Sequence, residues 1–389
     1  MPVRRPPDRK QRIAAAATVL FCERGFRNVS VADVAEAVDI TAPALYRHFR
    51  NKQALLAYVV RSGLDAMDRA GREADSLESL LRGVITLVFE QRGLATLWQR
   101  EARHLPEQER DELRRHLADI TDRYAALIRA DRPQLSTPDS ELLAGALIAV
   151  PASLAGHRFT LPRRRLEALL RRLTSAVAHC ELGSGDGLPD AEPAPAAPAE
   201  PSTAFAVSRR EQMLTEAIRL FDERGFQSVS TDDIGEAVGT SGPNVYKHFP
   251  SKTDLLVAGV IRGGERRESG TAQALARGTT PRETLDLLLR AYIGFALENN
   301  HLLGLLLSEL DQLPEQRRRS SVQVQREFLA LWVTVLDRAA PGLDPTEAKI
   351  TVYAVFNTVD SVARSGHLMR RDDLGDRLFE IGTSLLLAR

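Results

Sequence analysis

An all-α fold built from two copies of one domain is what this sequence predicts, and three observations carry that expectation. Residues 21–56 and 221–256 align at a constant offset of 200 without a gap, with 18 identities over 36 positions; unrelated chains of average composition would share about two. Apolar residues recur at i, i+3, i+4 and i+7 along most of the chain, and no segment alternates apolar with polar residues in the β manner. Between the copies, residues 183–202 read GSGDGLPDAEPAPAAPAEPS, a proline-rich stretch almost without large apolar residues, which describes a solvated, partly extended linker. At about 3.1 Å per residue it reaches on the order of 60 Å, enough to return the chain from the far end of one domain to the near end of the next. A looser echo joins LWQREARHLPEQER at 97–110 to LLSELDQLPEQRR at 306–318. Each copy reads as roughly nine helices with short connections.

The first helix runs from about Asp8 to Arg24 with Ile13, Ala16, Ala17, Leu20 and Phe21 on one face. Gly25 suits its C′ position, and Phe26 folds back onto that face. Leu214, Ala217, Leu220, Phe221, Gly225 and Phe226 repeat the pattern. The second helix opens with Ser30 and Asp33, or Ser230 and Asp233, in capping-box spacing, and Val34 and Val38 (Ile234 and Val238) form its buried side. Asp39 or Gly239 then centres a tight turn; glycine tolerates a left-handed backbone best, aspartate better than most. The third helix is capped by Thr41 or Ser241, carries Pro43 or Pro243 in its first turn, and buries Leu45 and Phe49 (Val245 and Phe249). The fourth starts at Asn51 or Ser251, with Lys52 or Lys252 next. Two short helices joined by a tight turn and packed on a longer one make a helix-turn-helix, whose second helix enters the DNA major groove. The expected domains are therefore two heads at 1–60 and 203–260, helical bodies at 61–182 and 261–389, and the linker at 183–202.

Together the FxERGFxxVS run, this helix-turn-helix and the block Pro43-Ala44-Leu45-Tyr46-Arg47-His48-Phe49 with Lys52 resemble the TetR family of transcriptional repressors. Pro243-Asn244-Val245-Tyr246-Lys247-His248-Phe249 with Lys252 carries the same likeness in the second copy. Two units in one chain resemble the tandem actinobacterial members. The RRPPDRK start and the LWQREARHL segment are similar to the repressor of a mammalian-cell-entry transport operon. By position, the resemblance implies phosphate contacts from Ser30, Tyr46, His48 and Lys52 and from Ser230, Tyr246, His248 and Lys252. It places Thr41, Ala42, Pro43, Ala44 and Arg47, and Ser241, Gly242, Pro243, Asn244 and Lys247, where base edges are read. A cation in the first turn of a helix fits a phosphate contact. Asn244 can bond bidentately to adenine while Ala44 can only touch a thymine methyl, so the two heads should not read the same half-site. Arg4, Arg5, Arg9 and Lys10 form a candidate minor-groove arm, the plainer reading being a solvated basic tail. Tyr46 and Tyr246 have a plainer reading too, as core aromatics, and His48 as a surface histidine.

The bodies carry no catalytic order: no HExxH, P-loop or GxSxG motif occurs, and no His/Asp/Glu cluster has metal spacing. No enzyme, metal or cofactor is expected. Instead the resemblance implies a small apolar effector, a lipid, sterol or acyl-CoA. Trp98, Tyr124, Phe295, Trp332 and Tyr353 are candidates to line its pocket, each with a plain core reading beside it. Arg100 with Glu101, and Glu309 with Arg317, read as salt-bridged helix faces. The Ala/Leu/Val-rich helices at about 139–158 and 163–180, and at 345–366 and 373–388, match those that pair between subunits in the family. Covalent linkage sets a partner concentration on the order of millimolar, so the copies should pair within one monomeric chain, a pseudo-dimer that leaves room for a higher oligomer on DNA.

The 389 residues hold 52 basic and 52 acidic side chains, which excludes a uniformly basic protein coating nucleic acid. Locally, residues 1–60 carry ten Lys/Arg against five acids, a net +5, and residues 203–260 carry six against eight, a net −2. Phosphate contacts dominate affinity, so the first head should contribute more, and Lys52→Ala should flatten the salt dependence more than Lys252→Ala. Cys22 and Cys180 form no CxxC pair, which argues against a disulfide scaffold or a cysteine zinc site. The most apolar stretch, Leu142 to Ala155, holds Pro151 and falls short of the roughly 20 residues a membrane span needs. A cytoplasmic, nucleoid-associated repressor binding an asymmetric operator is the resulting expectation. Its rivals are an activator, and a helical ligand-binding or interaction module in which one or both reading heads are degenerate.

Overall fold

A computed structural model of the chain describes residues 9–90, 93–155, 159–183 and 208–389. Arg4 and Arg5 of the candidate arm and linker residues 184–202 lie outside the described residues. Among those described there are eighteen α-helices and no strand, and no described helix is long and apolar enough to cross a membrane.

Copy one contains α1 (Arg9–Arg24), α2 (Val31–Ala37), α3 (Ala42–Tyr46), α4 (Lys52–Glu73), α5 (Leu77–Glu90), α6 (Leu94–Thr96), α7 (Glu107–Asp131), α8 (Thr137–Ala152) and α9 (Arg163–Ala178). Copy two contains α10 (Arg209–Arg224), α11 (Thr231–Ala237), α12 (Gly242–Val245), α13 (Lys252–Arg277), α14 (Pro281–Glu298), α15 (Asn300–Ser308), α16 (Glu315–Ala339), α17 (Pro345–Ala363) and α18 (Leu374–Leu386). The end signals act as expected. Ser30 and Ser230 each close a reciprocal capping box with Asp33 and Asp233, satisfying two orphan N–H groups at once. Asp39 (φ 57°) and Gly239 (φ 69°) take the left-handed turn. Helix α8 ends at Ala152, earlier than the expected 158, one residue past Pro151, which removes one ladder N–H from the last turn.

The chain divides into two compact units that do not follow the two copies. The first joins residues 1–180 to 329–369 and 381–389; the second comprises 181–328 and 370–380. In the first unit α17 packs along α8 and touches α9. Helix α8 buries Leu142, Leu143, Ala146, Leu147 and Val150, a nearly all-round apolar surface that only a fully enclosed helix carries. Ile350, Val352, Val355 and Val359 of α17 are buried too. Polar ties fix the register: Asn357 Nδ2 donates to Ala149 O at 2.7 Å and Ser384 Oγ to Ala176 O at 2.9 Å. The buried Glu347 carboxylate lies between Arg165 (2.8 Å) and Arg172 (2.9 Å). In the second unit α14 packs along α13, and α15 packs on α10 and α13, burying Leu285, Leu288, Leu289, Tyr292, Leu302 and Leu305.

Candidate nucleic-acid interface

Each head is assembled around one phenylalanine. Phe26 packs edge-on to Phe21 with ring centroids 5.2 Å apart, and Phe226 meets Phe221 the same way. Lys52 reaches back from the start of α4 and donates to Phe26 O and Val29 O, both at 2.8 Å. Its Nζ also lies 4.3 Å from the Phe26 ring centroid. Lys252 repeats this with Phe226 O (2.9 Å) and Val229 O (2.8 Å), 4.4 Å from the Phe226 ring. Burial, with Arg27 nearby, holds the Lys52 ammonium below its ordinary pKa. Both lysines thus tie down the turn before the second helix rather than extend toward a phosphate. Lys10 departs from its expected role as well: it sits in α1 over the Tyr58 ring, 4.5 Å from the centroid, and near Phe49. Arg210 covers Phe249 in copy two. Of the candidate arm, Arg9 alone is both described and exposed.

The third helices carry the exposed surface. Tyr46 and Tyr246 are each 51% exposed, which rules out the core reading of these rings, and Thr231 Oγ1 donates to Tyr246 Oη at 3.3 Å. Pro43, Arg47, Pro243 and Lys247 are exposed, Ala42, Ala44 and His48 half-buried, His248 exposed. Thr41 Oγ1 accepts from Ala44 N at 3.4 Å, a long cap. Ser241 has the N-cap backbone but makes no side-chain cap bond. The Asn244 side chain is engaged through one N–H: its Nδ2 donates to Thr240 Oγ1 at 2.9 Å, which leaves Oδ1 and the other N–H for the bidentate pairing expected of it. Ser30 and Ser230 remain exposed, with their hydroxyls in the capping boxes.

Head one meets its body through a junction that the sequence reading took for surface. A π-helical turn, Leu97–Glu101, follows α6. It delivers the buried Glu101 carboxylate to Phe26 N at 3.1 Å. His104 stacks on the Phe26 ring, centroids 5.4 Å apart, and its Nε2 is 3.6 Å from Glu101 Oε2. Burial, helped by Arg103, Arg27 and Lys52, pushes the His104 pKa down to about 4. In copy two, Gln227 Nε2 donates to Gln312 Oε1 at 2.6 Å, His301 Nδ1 lies 2.9 Å from Asp222 Oδ2, and Glu309 is 1% exposed. The signal that could have located this junction was the second echo, residues 97–110 against 306–318.

Four of the candidate pocket aromatics, Trp98, Tyr124, Trp332 and Tyr353, lie in the first unit, and Phe295 lies in the second. Tyr124 is fully buried in α7 and donates to Met67 O at 3.0 Å. Trp332 is fully buried edge-on to Phe356 at 5.0 Å, and Tyr353 packs on Phe159 at 6.0 Å. Trp98 is half-buried, and Phe295 is core of the second unit. A cleft of about 350 Å³ does open in the first unit, but it is lined by Asp68, Arg72, His116, Asp119, Asp122 and Arg123. That lining is polar, not apolar, and includes none of the five.

Comparison with known proteins places this geometry. The family described as "Bacterial regulatory proteins, tetR family" matches residues 13–59 and again 213–258, the two heads. "Tetracyclin repressor-like, C-terminal domain" matches residues 278–364. The HTH-type transcriptional activator FasR of Mycolicibacterium smegmatis is 32% identical over 154 residues, 39% of this chain and 70% of FasR. The HTH-type transcriptional repressor KstR of Rhodococcus jostii is 26% identical over 182 residues, 46% of this chain and 82% of KstR. Among solved structures, the ketosteroid transcriptional regulator KstR2 of Mycobacterium tuberculosis aligns with a TM-score of 0.42 at 19% identity, over 47% of this chain and 95% of KstR2. With two matched heads and a relative of this identity and coverage, the chain belongs to the TetR family of bacterial transcriptional regulators, which are not enzymes.

Proposed function

We propose that the chain represses transcription by setting two unlike heads on one asymmetric operator, acting as a pseudo-dimer within a single polypeptide. The observation that supports this best is the packing of α17 along α8 in one compact unit. These are the helices that, by family likeness, pair two subunits, and here one comes from each copy. A twofold dimer would present identical readers; this chain carries Ala44 and Arg47 in one and Asn244 and Lys247 in the other. The phosphate side of the interface is assigned to Tyr46, His48, Tyr246 and His248, with Arg47 and Lys247 beside them, because these side chains stand at the surface of the reading helices. Two recognition helices of a dimeric reader enter successive major grooves about 34–36 Å apart. Release by a small apolar effector, a lipid, sterol or acyl-CoA, completes the proposal and rests on family likeness. Such a ligand acts only by binding the released state more tightly than the DNA-bound one.

Footprinting on the DNA flanking the chain's own gene tests the core of this. Protection of two adjacent, non-palindromic half-sites by one chain is the expected result. Protection of one half-site alone would favour a degenerate second head, a reading suggested by its net charge of −2. Adding candidate lipids, sterols or acyl-CoA to the same complex and watching the footprint fade tests the effector.

A further inference from the structure

The two heads share a backbone, so a difference in what they read must come from the few side chains that differ on the reading end. Three of these lie together. At the start of the second helix copy one has Ala32 and copy two Asp232, both exposed. At the turn copy one has Ile40 and copy two Thr240. On the third helix copy one has Ala44 and copy two Asn244. A fourth difference follows from the first: Gly242 replaces Ala42, and a Cβ at 242 would collide with the Asp232 carboxylate. Asp232 therefore lies against the N-terminal end of the reading helix, within the reading surface.

Each of the first three changes turns an apolar group into a polar one with an oxygen that accepts. An ionised carboxylate only accepts. Asn244 carries two N–H donors and an acceptor; one Nδ2 hydrogen goes to Thr240 Oγ1 at 2.9 Å, which leaves Oδ1 and the other N–H to meet a base. In the major groove adenine N6 and cytosine N4 are the donors, while guanine presents N7 and O6 and thymine O4, all acceptors. Two acceptors facing one another in a desolvated groove are mutually costly.

We infer that the second head reads bases through acceptors, the Asp232 carboxylate and Asn244 Oδ1, and so selects base pairs whose amino-bearing base, adenine (N6) or cytosine (N4), lies on one particular strand. The first head meets the same positions with the methyl groups of Ala32, Ile40 and Ala44, which suit thymine. Thr240 is a positioning residue in this scheme: it holds the Asn244 amide by one of its two N–H groups. The inference rests on the proposal that both heads bind one operator, and the test separates the two.

Recovering bound duplexes from a randomised pool with the full chain, then with Asp232→Ala, Asn244→Ala and Thr240→Val, reads out each head separately. The wild-type chain is expected to recover an asymmetric site whose second half has two positions at which adenine or cytosine falls always on the same strand. Asp232→Ala should relax one of them and Asn244→Ala the other, each a loss of discrimination of roughly 10- to 100-fold. Thr240→Val should weaken discrimination at the Asn244 position, because the amide loses the hydrogen bond that orients it. An unchanged first half-site in every variant shows that the chain is folded and bound. An asymmetric wild-type site whose second half is untouched by all three variants, or in which adenine and cytosine fall on either strand indifferently at the positions they affect, overturns the inference and leaves the two-head reading standing. Recovery of only one half-site overturns that reading and the inference with it.

Discussion

At the scale of single residues, the structure separates side chains that build the heads from those that stand ready for DNA. Lys52 and Lys252 belong to the first kind, each donating to two backbone carbonyls of the turn before the second helix. Hydrogen bonds from a charged donor contribute about 1.5–3 kcal/mol each, so Lys52→Ala and Lys252→Ala should each destabilise the chain by about 2 kcal/mol or more. The two should do so alike, unlike the unequal effects on binding that net charge suggested. Tyr46→Phe should instead leave thermal melting unchanged and weaken operator binding, since that ring is half in solvent. Equal melting for wild type and Lys52→Ala would refute the structural role. His104 supplies a pH test. Its pKa is ordinarily 6.5 and falls to about 4 in the fold. Between those values the unfolded chain binds a proton that the folded one does not. This stability is therefore fully present above pH 6.5 and is lost as the pH falls toward 4. His104→Phe keeps a ring on Phe26 without a titrating nitrogen, so its melting temperature should fall less steeply across that window. Capping serines and the left-handed Asp39 were legible in the sequence because each acts within four residues. The partners of Lys52 and Lys10 were not, because they depend on how far-apart segments pack.

At the scale of elements, the same distinction holds between local signals and long-range packing. Every helix of the two heads could be placed from caps, turn residues and apolar spacing, since those residues determine their own backbone. The π-helical turn at Leu97–Glu101 could not, because its extra residue per turn serves to bring Glu101 to Phe26 N, a contact 75 residues distant in sequence. Copy two has an ordinary helix, α15, at the corresponding place, so no repeat signal marked it. The pairing of α8 with α17 was expected from the family likeness of these Ala/Leu/Val-rich helices, but not the ion cluster that fixes it. Glu347 lies between Arg165 and Arg172 with its side chain only 12% exposed. Removing one partner of a largely buried pair leaves the others uncompensated, at a cost of up to about 3–5 kcal/mol, less here because both arginines remain partly solvated. Glu347→Ala should therefore loosen α17 from α8 and α9, seen as faster amide exchange in all three helices. Arg165→Ala should do so less, since Glu347 keeps Arg172. If both variants exchange like the wild type, apolar packing alone holds the bundle.

At the scale of the whole molecule, the question is what the covalent link between the copies contributes beyond the packing itself. Helices from both copies share a buried core in the first unit, with Leu142, Leu147 and Val150 of α8 enclosed along with Ile350, Val355 and Val359 of α17. A core of that kind does not need an intact backbone to persist. What the link supplies is partner concentration, on the order of millimolar for a short flexible tether. Placing a specific protease site among residues 184–202 and cutting it separates these contributions. The two pieces should remain together through size exclusion at micromolar concentration, with helix content unchanged. Binding to the asymmetric operator should then match the uncut chain at high protein concentration and fall away on dilution, because two pieces must meet before both heads engage. Before cutting, sedimentation should show one chain per particle at low concentration. Pieces that separate at once, or an uncut chain that sediments only as a stable dimer of chains, would mean that the bundle pairs its partners between molecules, and the operator would then present two copies of each half-site rather than one.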